Sequence, residues 1–530
     1  MPIAPEAIKA FLALKFAPLP DFKAMNEAQC LKMIKALTGR DFKAKTWPRL
    51  YQLQGIAASL HQRQFLLYYD MQLGKTLCAL AWAEHLKHSG IWSGTGIIIA
   101  HAPVALDVWE SQAKQHSALN LRVARTNFDD FVKAIEDEVD FIVMTWSGLQ
   151  AIFTEKRPNR KKVMTLYPNK ELLALAADCL SCFVIDEIHK AKDPYGLWFE
   201  LADLISSQCS LRLGLTGTPL NRNAFDMWAQ IKLIDRGQRL GWNFNFFKEA
   251  FGAKFKNYAR GGMIDVKFDE SKMPILSQRV ASCSLSYTRV EAGVFVDVQE
   301  SVVKLHMHGE QLAAYEACIT EVIEMVDGGL NADHEITNSF SKLRQISSGW
   351  DPFHDSKGAR RNAKFKHSAK LDWLEEFFAE LAGKPQIIIF CEHIYCNEII
   401  SDLLTKKKIS HGRVYGHTTP SQDKQTIADF QSGKLQVFLA NSRSGGTSIT
   451  LNAADYMIFF ESPMSSIDKK QAAARANADR GSRTLWTIDL CCSPTERKIL
   501  QFIEEGKDLE HALKTAKDRK SLFKGLSIHA

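Results

Sequence analysis

No stretch of this chain approaches the roughly 18 consecutive apolar residues that a membrane-spanning helix requires, so no span is expected. The opening residues, MPIAPEAIKAF, lack a basic start followed by a long apolar run, and secretion is not expected. Internal repeats and low-complexity tracts are absent. Neither sign of charge dominates: 67 basic residues face 60 acidic ones, for a net charge of +7. That bias fits a polyanionic partner without requiring one. Cysteine is present, with eleven residues scattered along the chain, which points to a reducing compartment rather than a disulfide framework. Cys179 and Cys182 form one Cys-x-x-Cys, but a zinc site needs a second ligand pair. Neither Cys391/Cys396 nor Cys491/Cys492 has a zinc-knuckle context. Burial as small hydrophobes is the expectation for these thiols.

At 530 residues the chain is too long for a single core, and two large domains are expected. Residues 1–45 read as a helical segment, with an amphipathic stretch from Asn26 to Leu37 ended by Thr38-Gly39. Residues 46–235 alternate strand-like apolar runs (GIIIAHAP, DFIVMTW, CFVIDE, LRLGLTG) with helical patterns, the signature of a parallel sheet covered on both faces. Residues 236–368 change texture and read as a helical insertion and linker. Alternation returns over 369–490 (QIIIFCEH, GRVYGH, LQVFLANS, YMIFFES, TLWTIDL), giving a second doubly wound domain. Residues 491–530 form a helical tail, with Ser493-Pro494-Thr495-Glu496 as its start. The fold class is therefore α/β.

Three short strings carry the chemistry: DMQLGKT (Asp70 to Thr76), VIDEIH (Val184 to His189) and LTGTP (Leu215 to Pro219). Each follows a strand-like run. Gly74-Lys75-Thr76 at a strand-to-helix turn offers backbone N–H groups to a phosphate. The Lys75 charge and the Thr76 hydroxyl serve the terminal phosphates and Mg²⁺. Asp186 supplies a Mg²⁺-associated carboxylate, and Glu187 a group to orient or deprotonate an attacking water. The bland alternative for the two acids is stabilisation by a helix dipole. Basic clusters at Lys156-Arg157-Arg160-Lys161-Lys162, at Lys357-Arg360-Arg361-Lys364-Lys366 and at Lys406-Lys407-Lys408 with Arg413 suit phosphate-backbone contact or simple solvation.

The order of these strings resembles the Swi/Snf-like ATPases of helicase superfamily two, from about Tyr51 to Lys514. PRLYQLQG is similar to the family's opening motif. IIIAHAPVALDVWESQ, with Trp109, looks like the next, and LTGTPLNRNAFDMWAQIKLID matches the coupling motif. IIIFCEH, GHTTPSQDKQTIADFQ and NSRSGGTSITLNAADYMIFFESPMSSIDKKQAAAR correspond to motifs of the second lobe. The resemblance implies two RecA-like lobes with a helical insertion between them, the cofactors ATP and Mg²⁺, and sequence-independent contacts to double-stranded DNA. It implies that Gln52 reads adenine and that His189, Thr216 and Thr218 couple nucleotide to DNA, with a structural hydrogen-bond role as the alternative for these three. Arg475 would stabilise the transferred phosphoryl group, with an ion pair to Asp468 or Asp479 as its alternative. Thr145, Ser442, Arg443, Gly445 and Gly446 would meet DNA phosphates, although the two glycines also suit a structural turn. Trp146, Trp198 and Trp228 read as core.

Three departures from the family pattern stand out. Gln72 replaces a glycine, which constrains the phosphate loop. DEIH replaces DEAH. Ala478 stands where a second arginine is expected, so either Arg480 takes that role or one arginine finger is missing. The implied activity is an ATP-dependent double-stranded DNA translocase that remodels or displaces bound complexes, in a bacterial or infected bacterial cytoplasm. A helicase or annealing motor on branched DNA or RNA is one alternative. A weakly hydrolysing, nucleotide-gated DNA clamp or adaptor is the other.

Overall fold

The computed structural model describes residues 4–101, 103–158, 162–217, 224–257, 263–294, 297–327, 333–354, 360–416, 418–442, 451–476, 483–506 and 525–527. The chain packs as two compact units, residues 1–294 and 295–530.

The first unit is built on a seven-stranded sheet. Its order across the sheet is Ser284–Tyr287, Gln64–Tyr69, Leu211–Thr216, Leu180–Asp186, Thr95–Ala100, Phe141–Thr145 and Leu121–Val123. Every neighbouring pair is parallel. Successive strand residues point to opposite faces, and helices cover both, so the central strands read as unbroken apolar runs. Leu66, Ile97, Ile142 and Phe183 join one buried cluster, while Leu67, Ile98, Val143 and Val184 join another.

The helix Glu27–Thr38 begins at a capping box: the Gln29 amide donates to Asn26 Oδ1 at 2.9 Å, and the Asn26 amide donates to Gln29 Oε1 at 2.8 Å. It ends at Gly39 in the left-handed region. Its Cys30 and Ile34 are buried in the first unit's core, so this amphipathic helix of the amino-terminal segment belongs to that unit.

The second unit carries a six-stranded sheet in the order Val298–Lys304, Leu485–Cys491, Tyr456–Phe459, Ile387–Cys391, Val437–Asn441 and His411–Val414. All its pairs are parallel too. The helices Gly309–Asp327 and Asp333–Ser347 and the hairpin Trp350–His354/Arg360–Lys364 belong to this unit. The helix Pro494–Glu504 starts where the sequence places it, with Ser493 Oγ accepting from the Glu496 amide at 3.2 Å.

The α/β reading with two doubly wound sheets therefore stands. The segment expected as a 236–368 insertion divides differently. Its Ser284–Tyr287 is the edge strand of the first sheet, and its Val298–Lys304 is the edge strand of the second. Neither edge strand carries the buried apolar run that marks a central one. No described helix is long and apolar enough to cross a membrane.

Candidate nucleotide site

Three adjacent strands of the first sheet, Gln64–Tyr69, Leu211–Thr216 and Leu180–Asp186, present their carboxyl ends side by side. Tyr68 pairs with Thr216, and Leu215 with Asp186, so the chemistry-bearing segments after them share one rim of the sheet. Ligands of open parallel sheets bind at such a rim.

The loop after Tyr69 is shaped by its backbone. Gly74 precedes the helix Lys75–His88 and has φ 75°, in the left-handed region that favours glycine. A Cβ there would sit 2.2 Å from Gln52 Nε2, so a side chain at 74 would also have to displace the Gln52 amide. Gln52 is buried, with its Oε1 accepting from the Arg49 amide at 2.8 Å and its Nε2 donating to the Leu73 carbonyl at 3.1 Å. Both ends of the amide thus brace the loop. Lys75 Nζ folds back on the loop and donates to the Tyr69 carbonyl at 2.9 Å. Gln72 has φ 66°, so the residue that replaces a glycine does adopt glycine's conformation.

The acids lie within reach of the Lys75 charge. Asp186 Oδ2 accepts from Trp109 Nε1 at 3.2 Å, and Oδ1 accepts from the Glu187 amide at 3.0 Å. Burial, with the neighbouring Glu187 carboxylate, pushes the Asp186 carboxyl well up from its ordinary value. Burial would raise Glu187 as well. The His189 ring, 3.2 Å from Glu187 Oε2, and the charge of Lys75 outweigh that and hold Glu187 below the usual carboxylate range. Thr216 Oγ1 donates to Glu187 Oε2 at 3.2 Å and lies 2.8 Å from His189 Nδ1. Glu187, His189 and Thr216 therefore form one buried polar triad. Glu187 itself sits at φ 48°, a strained value for a residue with a side chain.

This donor set fits a nucleoside triphosphate with Mg²⁺. Among the described residues no cluster of three or more His, Cys, Asp or Glu could cage a metal. Mg²⁺ does not need such a cage, since it is held by one or two protein oxygens together with waters and phosphate oxygens. Asp186 and Thr76 would supply those oxygens here, and the buried, poorly compensated Asp186 carboxylate is the observation that favours a cation.

Other expected site residues fall elsewhere. Thr145 is buried, and its hydroxyl caps the helix Trp146–Phe153 by accepting from the Gly148 amide at 3.0 Å. The exposed hydroxyl at that helix start belongs to Ser147, 2.9 Å from Thr145 Oγ1. Ser442 is 1% exposed and donates to Glu392 Oε1 within the second unit. Arg475 is 3% exposed, with its guanidinium 5.9 Å from the centre of the Phe390 ring, and its Nε has no partner among the described residues. Thr218, Arg443, Gly445, Gly446, Ala478 and Arg480 lie outside the described residues. Trp146 and Trp228 are buried, and Trp198 stacks on Trp146 at 5.7 Å between ring centres.

The sequence reading missed Arg289. It contacts the phosphate loop from 217 residues away, through Met71 and Gln72, and no local motif announces it.

The model of the SNF2-related domain matches residues 43–350, and that of the helicase conserved C-terminal domain matches residues 369–477. The chain is similar to chromodomain-helicase-DNA-binding protein 6 of Rattus norvegicus, at 23% identity over 508 residues, 90% of this chain and 18% of that protein. It is similar to the CHD3-type chromatin-remodeling factor PICKLE of Arabidopsis thaliana, at 24% identity, covering 87% of this chain and 34% of that one. A third relative is the ISWI chromatin-remodeling complex ATPase ISW2 of Saccharomyces cerevisiae, at 24% identity, covering 81% of this chain and 37% of that one. The chain thus spans well under half the length of these relatives. Among solved structures it is similar to the Sulfolobus solfataricus SWI2/SNF2 ATPase core in complex with dsDNA, at 21% identity and a TM-score of 0.39, covering 92% of this chain and 97% of that one. With a phosphate loop and an Asp-Glu pair on one rim of a parallel sheet, and a family model spanning more than half its length, the chain belongs to the SNF2-related ATPases of helicase superfamily two.

Proposed function

We propose that the protein hydrolyses ATP with Mg²⁺ and uses the energy to translocate along double-stranded DNA, remodelling or displacing what is bound there. The convergence of Lys75, Asp186 and Glu187 at the ends of neighbouring parallel strands carries this reading. Lys75 and the amides around Gly74 bind the β- and γ-phosphates, and Thr76 and Asp186 hold the cation. Bound Mg²⁺ supplies charge neutralisation on the phosphate oxygens. Glu187, kept ionised at neutral pH by its partners, accepts a hydrogen bond from water and aligns it. The Glu187–His189–Thr216 triad links that carboxylate to the segment that follows Thr216.

Relatives named as helicase-DNA-binding and chromatin-remodeling proteins support DNA as the polymer. Duplex DNA, gripped through its phosphates without base readout, is the form proposed here. A nucleotide-gated clamp with weak turnover is the second reading. It is favoured by the burial of Arg475 inside the second unit, where the guanidinium is withdrawn from solvent.

Steady-state ATP hydrolysis with no polymer, duplex DNA, single-stranded DNA and RNA separates these readings, with Lys75→Ala as control. Stimulation by duplex alone, lost in the variant, supports the translocase. ATP binding without turnover on any polymer supports the clamp.

A further inference from the structure

The phosphate loop contains a residue in a conformation its side chain disfavours. Gln72 has φ 66°, where any residue with a Cβ is strained and glycine is not. Such a conformation persists only where the surroundings over-determine it. Beside the bracing by Gln52 and Lys75, the side chain of Gln72 is met by an arginine. Arg289 Nη2 donates to Gln72 Oε1 at 2.7 Å, and Arg289 Nε donates to the Met71 carbonyl at 3.3 Å. The Arg289 amide donates to Asp70 Oδ2 at 3.0 Å. One residue thus touches three successive residues of the loop.

Arg289 is itself held in place. It lies two residues beyond the edge strand Ser284–Tyr287, and the pairing of that strand continues through the Asp70 amide, which donates to the Tyr287 carbonyl at 2.9 Å. The following turn is closed by Glu291, whose Oε2 accepts from the Thr288 amide at 2.8 Å and from the Thr288 hydroxyl at 2.9 Å. Glu291 Oε1 accepts from Lys23 Nζ at 2.6 Å, which ties the turn to the amino-terminal segment. The backbone at Arg289 is thus fixed beside the loop, and its side chain is half-buried against it.

We infer that Arg289 is a positioning residue for the nucleotide: it holds Gln72 and Met71 in the phosphate-binding shape that glycine would otherwise supply. This rests on the ATP reading above. The role is specific to the side chain at 72. Where position 72 is glycine, the loop needs no such restraint, so the effect of losing Arg289 depends on what stands there.

The test uses the full chain and Mg·ATP, measuring both the dissociation constant and the KM–kcat split. Arg289→Ala is expected to weaken ATP binding and raise KM about tenfold, the scale of lost charge-assisted hydrogen bonds, with kcat little changed. Arg289→Lys recovers part of that loss. Measured against Gln72→Gly as its own reference, Arg289→Ala costs less than about threefold in that background, the non-additivity expected of contacting residues. Without nucleotide, hydrogen exchange at residues 71–73 rises in Arg289→Ala and falls back in the double variant.

Native affinity in Arg289→Ala overturns the inference. So does the same tenfold loss in both backgrounds, or unchanged exchange at residues 71–73. Should Arg289→Ala fail to fold, Arg289→Lys in the two backgrounds decides by the same non-additivity. Failure of the native chain to bind Mg·ATP overturns the ATP reading instead, and the exchange measurement still judges the restraint on Gln72.

Discussion

The two units share an architecture of parallel strands between helices, but two of their buried carboxylates, Glu461 and Asp186, are treated in opposite ways. In the second unit the buried Lys370 and Glu461 are both met. Lys370, with a fully buried side chain, donates to Glu496 Oε1 and to the Phe460 carbonyl. Glu461 accepts from the Glu392 amide at 2.7 Å and the His393 amide at 2.9 Å, and from Ser348, with the His393 ring 2.7 Å away. Burial alone would raise Glu461, but His393, Arg344 and Ser348 hold it well below the ordinary carboxylate value. In the first unit Asp186 is also buried, and burial and Glu187 push it the other way. It has no ion-pair partner among the described residues. The contrast separates burial that holds a fold together from burial kept ready for a ligand.

The largest effect that tests this contrast lies in the second unit. Lys370→Met leaves Glu496 buried without its cation and is expected to cost about 3–5 kcal/mol, read from hydrogen exchange in the strand Ile387–Cys391. Adding Glu496→Leu removes the orphaned charge and should recover most of the loss. In the first unit Glu187→Gln is expected to lower ATP turnover on the order of 100-fold or more while leaving Mg·ATP binding close to native. A matching loss of binding would place Glu187 with the ligand-holding groups rather than with the water.

Asp186→Asn sharpens the comparison most directly. In metal-free protein it should stabilise the first unit by about 1–2 kcal/mol, since it removes a buried charge beside another, while turnover is lost. Destabilisation on the scale of Lys370→Met would break the contrast. The smallest effect concerns acid. Glu461 has a depressed folded-state value, so its contribution is whole above about 4.5 and is lost as pH falls below that. Glu461→Gln is expected to flatten the acid limb of a circular-dichroism titration between about pH 4.5 and 3, at the cost of a lower plateau at neutral pH.

The central strands were legible because burial on both faces writes itself as an apolar run: QFLLYY, TGIIIA, FIVMT, LSCFVID, IIIFC and VFLAN all became strands. The edges were not legible. Ser284–Tyr287 is four residues with two serines, and Val298–Lys304 is largely exposed, so neither carries the pattern that burial imposes. Missing them displaced the expected division of the chain. Lys75, Asp186 and Glu187 could be named from the sequence because each follows a strand-like run with a local signature, and the structure places them on one rim of the sheet. The bracing of the loop by Gln52 and Arg289 could not, since it depends on side chains from distant segments. Gln72 is the instructive case. The sequence flagged it as a constraint on the loop, and the left-handed backbone shows what the constraint is, but only the structure could supply the partner.

The cysteines have a practical consequence. Ten of the eleven are buried, and burial raises each of those thiols, which withholds the reactive thiolate. Cys179 alone is exposed, at the end of the helix Lys170–Cys179 and directly before the strand that ends in Asp186. A maleimide dye offered to the native chain should therefore attach at one place, giving a singly labelled protein for fluorescence measurements with no residue changed.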